Sequence, residues 1–344
     1  MNQVQPLSIA GIYEVCIGVA DAIPQLQYWE QFGYRIGQIG ELSASETREL
    51  YGVSSKVRSI RLYHQDADHG LIRLMIWEKP TNDGLQMSSM KVKGNRWAAT
   101  LTADLLNILN HAEEAASANW PVKYTSPQWK ILYNKERKPC PFVEAAVGVR
   151  EMMLLQPLSR QVVFQRFNYA LPNYGKINSN ALLKTSQITH MGMLIQDDSK
   201  ETLLFYEEVL GLIRARDDVE TTFESSLAGR EIFELQSGEG YVVTAFDDPR
   251  SSKTDFQAAR SGRLYILRFP SSIALGDLFD RANPGCLGMS LYTYRVSSIT
   301  EYFQRVKASN AQKITEIVAN EFGEQSFSFI APDGYFWTLI ELGL

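Results

Sequence analysis

Four times along the chain an apolar run of strand character leads into an amphipathic helical stretch. Each helix is followed by shorter period-two runs that end in a strong strand. The first copy opens at Ile12-Tyr13-Glu14-Val15-Cys16-Ile17-Gly18-Val19 and continues into a helix with Ile23, Leu26, Trp29 and Phe32 on one face and Gly33 at its end. Pro24 is tolerated there because it falls in the first turn. The second opens at Trp97 and carries Leu105, Ile108, Leu109 and Ala112 on one helical side. The third opens at Ile188-Thr189-His190-Met191-Gly192, with Asp198 or Ser199 as N-cap of a helix over 201–210 and Gly211 as its stop. The fourth starts at Gly288, is capped by Ser297-Ser298, and spaces Ile299, Tyr302, Phe303 and Val306 for one helical face.

The closing strands read as 71–77, 149–155, 241–246 and 335–340, three of them after a turn glycine (Gly70, Gly240, Gly334). The repeat unit is therefore βαβββ, roughly 60 residues, in an α+β protein. Modules at about 8–80 and 95–157 are expected to pair as an N-terminal domain over 1–157. Modules at about 187–248 and 285–344 are expected to pair as a C-terminal domain over 187–344, with 158–186 as a connector.

Composition narrows the function classes. Thirty-four Lys plus Arg against 39 Asp plus Glu leave a net charge of −5, so nucleic acid and anionic membrane are not expected partners. No apolar run approaches the ~20 residues of a membrane span, and the first residues lack a basic flank and an apolar signal core, which points to the cytoplasm. Cys16, Cys140 and Cys286 form neither a disulfide framework nor a C-x-x-C pair. No Walker loop, Rossmann fingerprint, nucleophile elbow or zinc-finger spacing occurs.

His190-Met191-Gly192 followed by Asp198, the run Phe205-Tyr206-Glu207-Glu208-Val209-Leu210-Gly211, and the turn Ala331-Pro332-Asp333-Gly334-Tyr335 resemble the vicinal oxygen chelate superfamily. That superfamily includes glyoxalase I, bleomycin-resistance and fosfomycin-resistance proteins and extradiol dioxygenases. The resemblance implies curved mixed sheets, each built from two modules and forming a cleft for a small molecule, often through a divalent metal. It implies metal ligands at the start of each module's first strand and in the middle of its last. Carried over position by position, these are Glu14 and Leu74, Trp97 and Met152, His190 and Thr244, and Leu291 and Thr338. Each expected cleft then holds one good donor where a catalytic site needs about three, so no metal or other cofactor is expected. Glu341, at an odd offset from Thr338, reaches the cleft only through a bulge and reads as a solvated carboxylate.

The candidate catalytic residues are His190, as a base or hydrogen-bond donor, and Glu14. Glu14 lies in an apolar strand, where it is either paired with Arg150 or a base of raised pKa. By alternation Trp97, Arg150, Phe246 and Phe336 are expected to face the clefts, as are Thr244, Leu291, Thr293, Arg295 and Thr338. Arg295 has the fork geometry to hold a carboxylate or enolate. His64 and His69 flank a turn-rich stretch and read as a solvated hairpin.

The expected function is that of an enzyme acting on a small organic, aromatic or enolisable molecule by proton transfer without a tightly bound metal, of isomerase, cyclase or lyase type. A non-catalytic binding or resistance protein is the first alternative and a metal-dependent ring-cleaving dioxygenase the second. The expected partner is a small-molecule ligand, and a homodimer is compatible with the sequence.

Overall fold

The structure is a computed structural model that describes residues 8–136, 145–197 and 201–342. Four βαβββ units are present, the second strand of the fourth being a two-residue pair, Val318–Ala319. The first comprises β1 (Ile9–Val19), α1 (Ile23–Gln31), β2 (Tyr34–Leu42), α2 (Ala44–Tyr51), β3 (Val57–His64) and β4 (Leu71–Trp77). The second has β5 (Arg96–Thr102), α3 (Leu105–Ser117), β6 (Gln128–Asn134), β7 (Ala146–Leu155) and β8 (Arg160–Phe167). The third has β9 (Thr185–Gln196), α4 (Glu201–Leu204, running on as a π turn over Phe205–Val209), β10 (Val219–Thr222), α5 (Leu227–Ile232), β11 (Gly240–Asp247) and β12 (Arg263–Phe269). The fourth has β13 (Gly288–Val296), α6 (Ile299–Lys307), β14 (Gln325–Ile330) and β15 (Phe336–Glu341).

The helix signals read from the sequence hold where they can be seen. Ser298 caps α6 by accepting from the Glu301 backbone N–H at 3.4 Å. Gly211 and Gly334 take positive φ, 71° and 93°, at the stops they were expected to make. The Asp198 and Ser199 cap lies outside the described residues, as does Cys140.

The modules pair differently from the expectation. The first strand of module one lies antiparallel to that of module four, with Glu14 opposite Thr293 and Cys16 opposite Leu291. The first strands of modules two and three pair in the same way, with His190 opposite Ala99 and Gly192 opposite Trp97. One sheet therefore combines modules one and four, and the other modules two and three. A repeat reveals its own copies but not which copies zip together, and proximity in sequence was the wrong guide.

Two closing strands also move. In each module the last strand runs parallel to the first, and in modules two and three that strand is β8 and β12, not 149–155 or 241–246. The connector expected over 158–186 thus begins with a strand.

The two sheets pack back to back on one shared apolar core that includes Ile12, Ile17, Met191, Met193, Tyr292 and Trp337 with side chains of α1, α3 and α6. Tyrosine hydroxyls sew the seam. Tyr292 donates to the carbonyl oxygens of Trp97 and Gly192 at 2.7 and 2.9 Å, and Tyr335 to that of Leu194 at 2.7 Å. The opposite face of each sheet, where the resemblance expects a cleft, is termed the one–four or the two–three cleft after its modules. Each is covered at one end by a short helix: α2 rests over Cys16, Trp77, Leu291 and Phe336 in one, and α5 over Leu194, Tyr241 and Phe269 in the other. Among the described residues no helix is long and apolar enough to cross a membrane.

Candidate active site

The two clefts differ in how their polar groups are used. In the one–four cleft, Arg61 and Arg73 are cross-strand neighbours on β3 and β4, an arrangement that like charges tolerate only with acids between them. Glu14 supplies the first. It accepts from Arg61 Nε at 2.5 Å, from an Arg73 amino group, and from Thr293 Oγ1 at 3.0 Å. The turn before β14 supplies two more. Glu321 accepts from Arg73 at 3.2 Å and from Tyr51 and Ser59 at 2.8 Å, and Glu324 bridges Arg61 and Arg295 at 2.7 and 2.9 Å. Phe322 covers the assembly, its ring 4.0 Å from the Arg61 guanidinium carbon.

Glu14, Arg61 and Arg73 are fully buried. Burial alone raises a carboxyl pKa, but Arg61 and Arg73 outweigh it and hold Glu14 below the ordinary range. Three carboxylates meet three guanidiniums, so the cleft is electrically closed. Glu14 is consequently not a base of raised pKa, and its partners are Arg61 and Arg73 instead of Arg150.

In the two–three cleft the registers bring one histidine into an aromatic frame. Gly192 stands between Tyr265 on β12 and Trp97 on β5. With no side chain there, the indole lies across the glycine, and a Cβ would sit 2.1 Å from it. Trp97 and Tyr265 stack over the gap at 6.3 Å. One row away, His190 sits between Arg263 and Ala99. Its ring meets Tyr265 edge-on at 4.9 Å, Phe164 at 5.4 Å and Trp97 at 5.9 Å.

The tautomer follows from the hydrogen bonds. Thr189 donates its single hydroxyl proton to the Ala99 carbonyl at 3.1 Å. We assign the 3.0 Å contact between Thr189 Oγ1 and His190 Nδ1 as a donation from Nδ1–H, with the Tyr174 hydroxyl 3.5 Å from the same nitrogen. Nε2 keeps its lone pair. Burial first, and then the charges of Arg263, Arg166, Lys130 and Arg216, hold the imidazole pKa well below its usual value, so His190 is neutral at pH 7. Burial alone would raise the Tyr265 pKa, but Arg263 and Arg216 pull it below that of a free phenol, and Arg263 Nη1 donates to its hydroxyl at 3.0 Å.

The remaining candidate residues are placed as follows. Trp97 faces a cleft, but the two–three cleft and not the N-terminal one expected. Leu291 and Phe336 face the one–four cleft but lie beneath α2. Thr293 is tied to Glu14, Thr338 is 2.8 Å from Ser328, and Arg295 is held by Glu324 with Tyr13 beneath it at 4.1 Å. Phe246 turns into the shared core against Tyr206. Thr244 lies on the same side of β11, bonded to Asp218. Both expectations fail because β11 is not the closing strand. Leu74 and Met152 likewise join the core. Arg150 points away from the clefts and stacks on Trp129 at 3.9 Å. Glu341 remains in unbroken register with Val296 and is not turned inward by a bulge.

His64 and His69 are buried, contrary to the solvated hairpin expected, because their hairpin docks on the other sheet. His64 Nε2 contacts the Thr185 carbonyl at 3.1 Å, and His69 bridges Asp68 and Ser261, both at 2.6 Å. That last trio has the distances of a nucleophile, base and orienting acid. Ser261 is sealed from solvent while Asp68 is exposed and shared with Arg250 and Arg260, so the trio acts as a clamp between the sheets.

Sequence reasoning missed Tyr265, Arg263, Arg166, Phe164 and Thr189. The first four lie on β8, which falls in the expected connector, and on β12, which falls between the two expected C-terminal modules; identifying those strands would have found them.

No family model matches the sequence, and no curated protein matches it. Solved structures do resemble it. Glyoxalase I from Zea mays superposes with a TM-score of 0.52 over 97% of this chain and 93% of that one, at 12% identity. A candidate dioxygenase from Bacillus subtilis gives a TM-score of 0.53 over 97% and 86%, also at 12% identity. The chain has the vicinal oxygen chelate fold. The resemblance in sequence implied that this fold often holds a divalent metal, yet the side chains at the expected positions do not suit one. Glu14 is committed to two guanidiniums, and His190 has an arginine beside it. Among the described residues no three His, Cys, Asp or Glu side chains converge.

Proposed function

We propose that the two–three cleft is the active site of an enzyme that moves a proton on a small, aromatic or enolisable organic molecule, with isomerase, cyclase or lyase chemistry and no tightly bound metal. The supporting observation is the bare Nε2 of His190 within a frame of Trp97, Phe164 and Tyr265, with Arg263 alongside. The aromatic walls suit a planar apolar body.

In the reaction, Nε2 accepts a proton from a carbon beside a carbonyl. The C–H electron pair becomes the new C=C bond of an enolate, and the former carbonyl oxygen takes the charge. Tyr265, already accepting from Arg263, is placed to donate its phenolic proton to that oxygen. Returning the proton to a different carbon gives isomerisation, and loss of a β-substituent with its bonding pair gives elimination. The surrounding cations make the free imidazole a weak base. A bound negative charge offsets their field and restores its basicity when substrate is present.

The test is proton exchange in D2O with a panel of aryl ketones and aryl 2-oxo acids, followed by NMR. Wild-type protein is expected to catalyse deuterium uptake at the acidic carbon, and His190→Gln to lose it by about a hundredfold or more. Ligand binding without exchange in the wild type would instead indicate a sequestering protein.

A further inference from the structure

Resting on that reading of the two–three cleft, we propose that its ligand is an aryl carboxylate and that Arg166 receives the carboxylate. The charges acting most strongly on His190 are all positive, those of Arg263, Arg166, Lys130 and Arg216, and Asp247 pairs with the first of them.

Arg263 is matched by Asp247, which it contacts at 2.5 and 3.1 Å. Arg166 is not matched. Its amino groups donate to the main-chain carbonyls of Leu171 and Tyr174 at 3.4 and 2.7 Å, and its Nε has no acceptor. It also hydrogen-bonds the Tyr169 side chain and lies over the Tyr169 ring; a guanidinium held by neutral groups keeps its charge available to an anion. Other arginines differ: Arg160, also held by neutral acceptors on Asn95, Gln86, Ser88 and Ser89, is only 3% exposed. Arg268 is paired with Asp218. Arg96 also lacks a carboxylate, but it is 1% exposed and enclosed between Tyr292 and Tyr335, where no ligand enters.

Arg166 is also placed to reach a ligand lying on His190. Its guanidinium carbon is 5.7 Å from the Phe164 ring and 5.3 Å from the Tyr174 ring, and both rings contact the imidazole. Lys130, Val149 and Arg166 form one row across β6, β7 and β8, so Lys130 flanks the same spot. Arg216 follows Ala215, whose N–H bonds the Ala245 carbonyl beside Tyr265. The planar pair of carboxylate oxygens fits a guanidinium edge, while the ring of the same ligand stacks within the aromatic frame.

The test is titration of the full chain with benzoate and with its uncharged isostere benzamide, by calorimetry at neutral pH and low salt. Benzoate is expected to bind at least about tenfold more tightly, a preference that shrinks as salt is raised. Arg166→Leu is expected to abolish the preference. The Lys130→Ala/Arg216→Ala double variant, which alters more exposed side chains, is expected to reduce it severalfold and keeps the proposal testable if Arg166→Leu fails to fold. Equal affinity for the two compounds, no binding of either at millimolar concentration, or a benzoate preference untouched in these variants would overturn it. His190→Gln is expected to keep the benzoate preference while losing proton exchange, so failure of the anion site and failure of the proton-transfer reading are separately visible.

Discussion

The two clefts are built from the same βαβββ plan and have opposite electrostatic outcomes. In the one–four cleft the first strand carries Glu14, and a turn from the other module brings Glu321 and Glu324 onto Arg61, Arg73 and Arg295. Every charge is answered from within the chain. In the two–three cleft the equivalent strand carries His190, which cannot neutralise its arginine neighbours, and Arg166 has no acid partner among the described residues. A closed ion network organises a fold, whereas an open excess of cations beside a bare imidazole offers a ligand something to bind. Burial alone does not separate the two, since both floors are largely shielded from solvent.

Removing the central group of each cleft separates them most strongly. Glu14→Ala leaves two buried guanidiniums facing one another, and it is expected to cost about 3–5 kcal/mol of stability in urea unfolding. His190→Ala is expected to cost about 1 kcal/mol or less while abolishing proton exchange. A comparable loss of stability in both variants would erase the distinction.

Gly192→Val tests the packing that shapes the active cleft. A side chain there must displace the Trp97 indole, so destabilisation of about 1–3 kcal/mol is expected together with a changed tryptophan fluorescence.

The clefts should also titrate apart. Glu324 is pulled down to about 2, since Arg61 and Asn320 outweigh the opposing effect of burial. Its contribution to stability is complete above the ordinary carboxylate pKa of about 4.5 and is lost as pH falls towards 2. His190 is a base with a depressed pKa, so below about pH 6.5 the unfolded chain takes up a proton that the native one refuses, and stability falls as pH drops. His64, pushed by burial to about 4, adds a loss of the same sign. In thermal melts against pH, His190→Gln should flatten part of the decline between about pH 6.5 and 5, and Glu324→Gln the decline below about 4.5. The smallest effect expected is from metal: added Zn2+ or Mn2+ should leave the melting temperature unchanged, and a rise of several degrees would contradict the donor analysis.

Much of the fold was legible because its signals are local. Four amphipathic helices, the stop at Gly211 and the hairpin at Gly334 each depend on a few neighbouring residues. The pairing of modules one with four and two with three is a long-range choice that no local pattern encodes. The site was legible only in part for the same reason. His190 and Trp97 lie on first strands, which the repeat exposes. Arg166 lies on β8, within the stretch read as connector, and Tyr265 and Arg263 lie on β12, between the two expected C-terminal modules. Arg295 and Thr293, expected to meet a ligand, are claimed by Glu324 and Glu14 from distant parts of the chain.

Nitrogen-15 NMR of the His190 imidazole reads the basis of the two-cleft contrast directly. Between about pH 5.5 and 8 the ring should stay neutral, with the proton on Nδ1 and a pyridine-like Nε2. A ring protonated at neutral pH, or one carrying its single proton on Nε2, would show that Nε2 is not the free base.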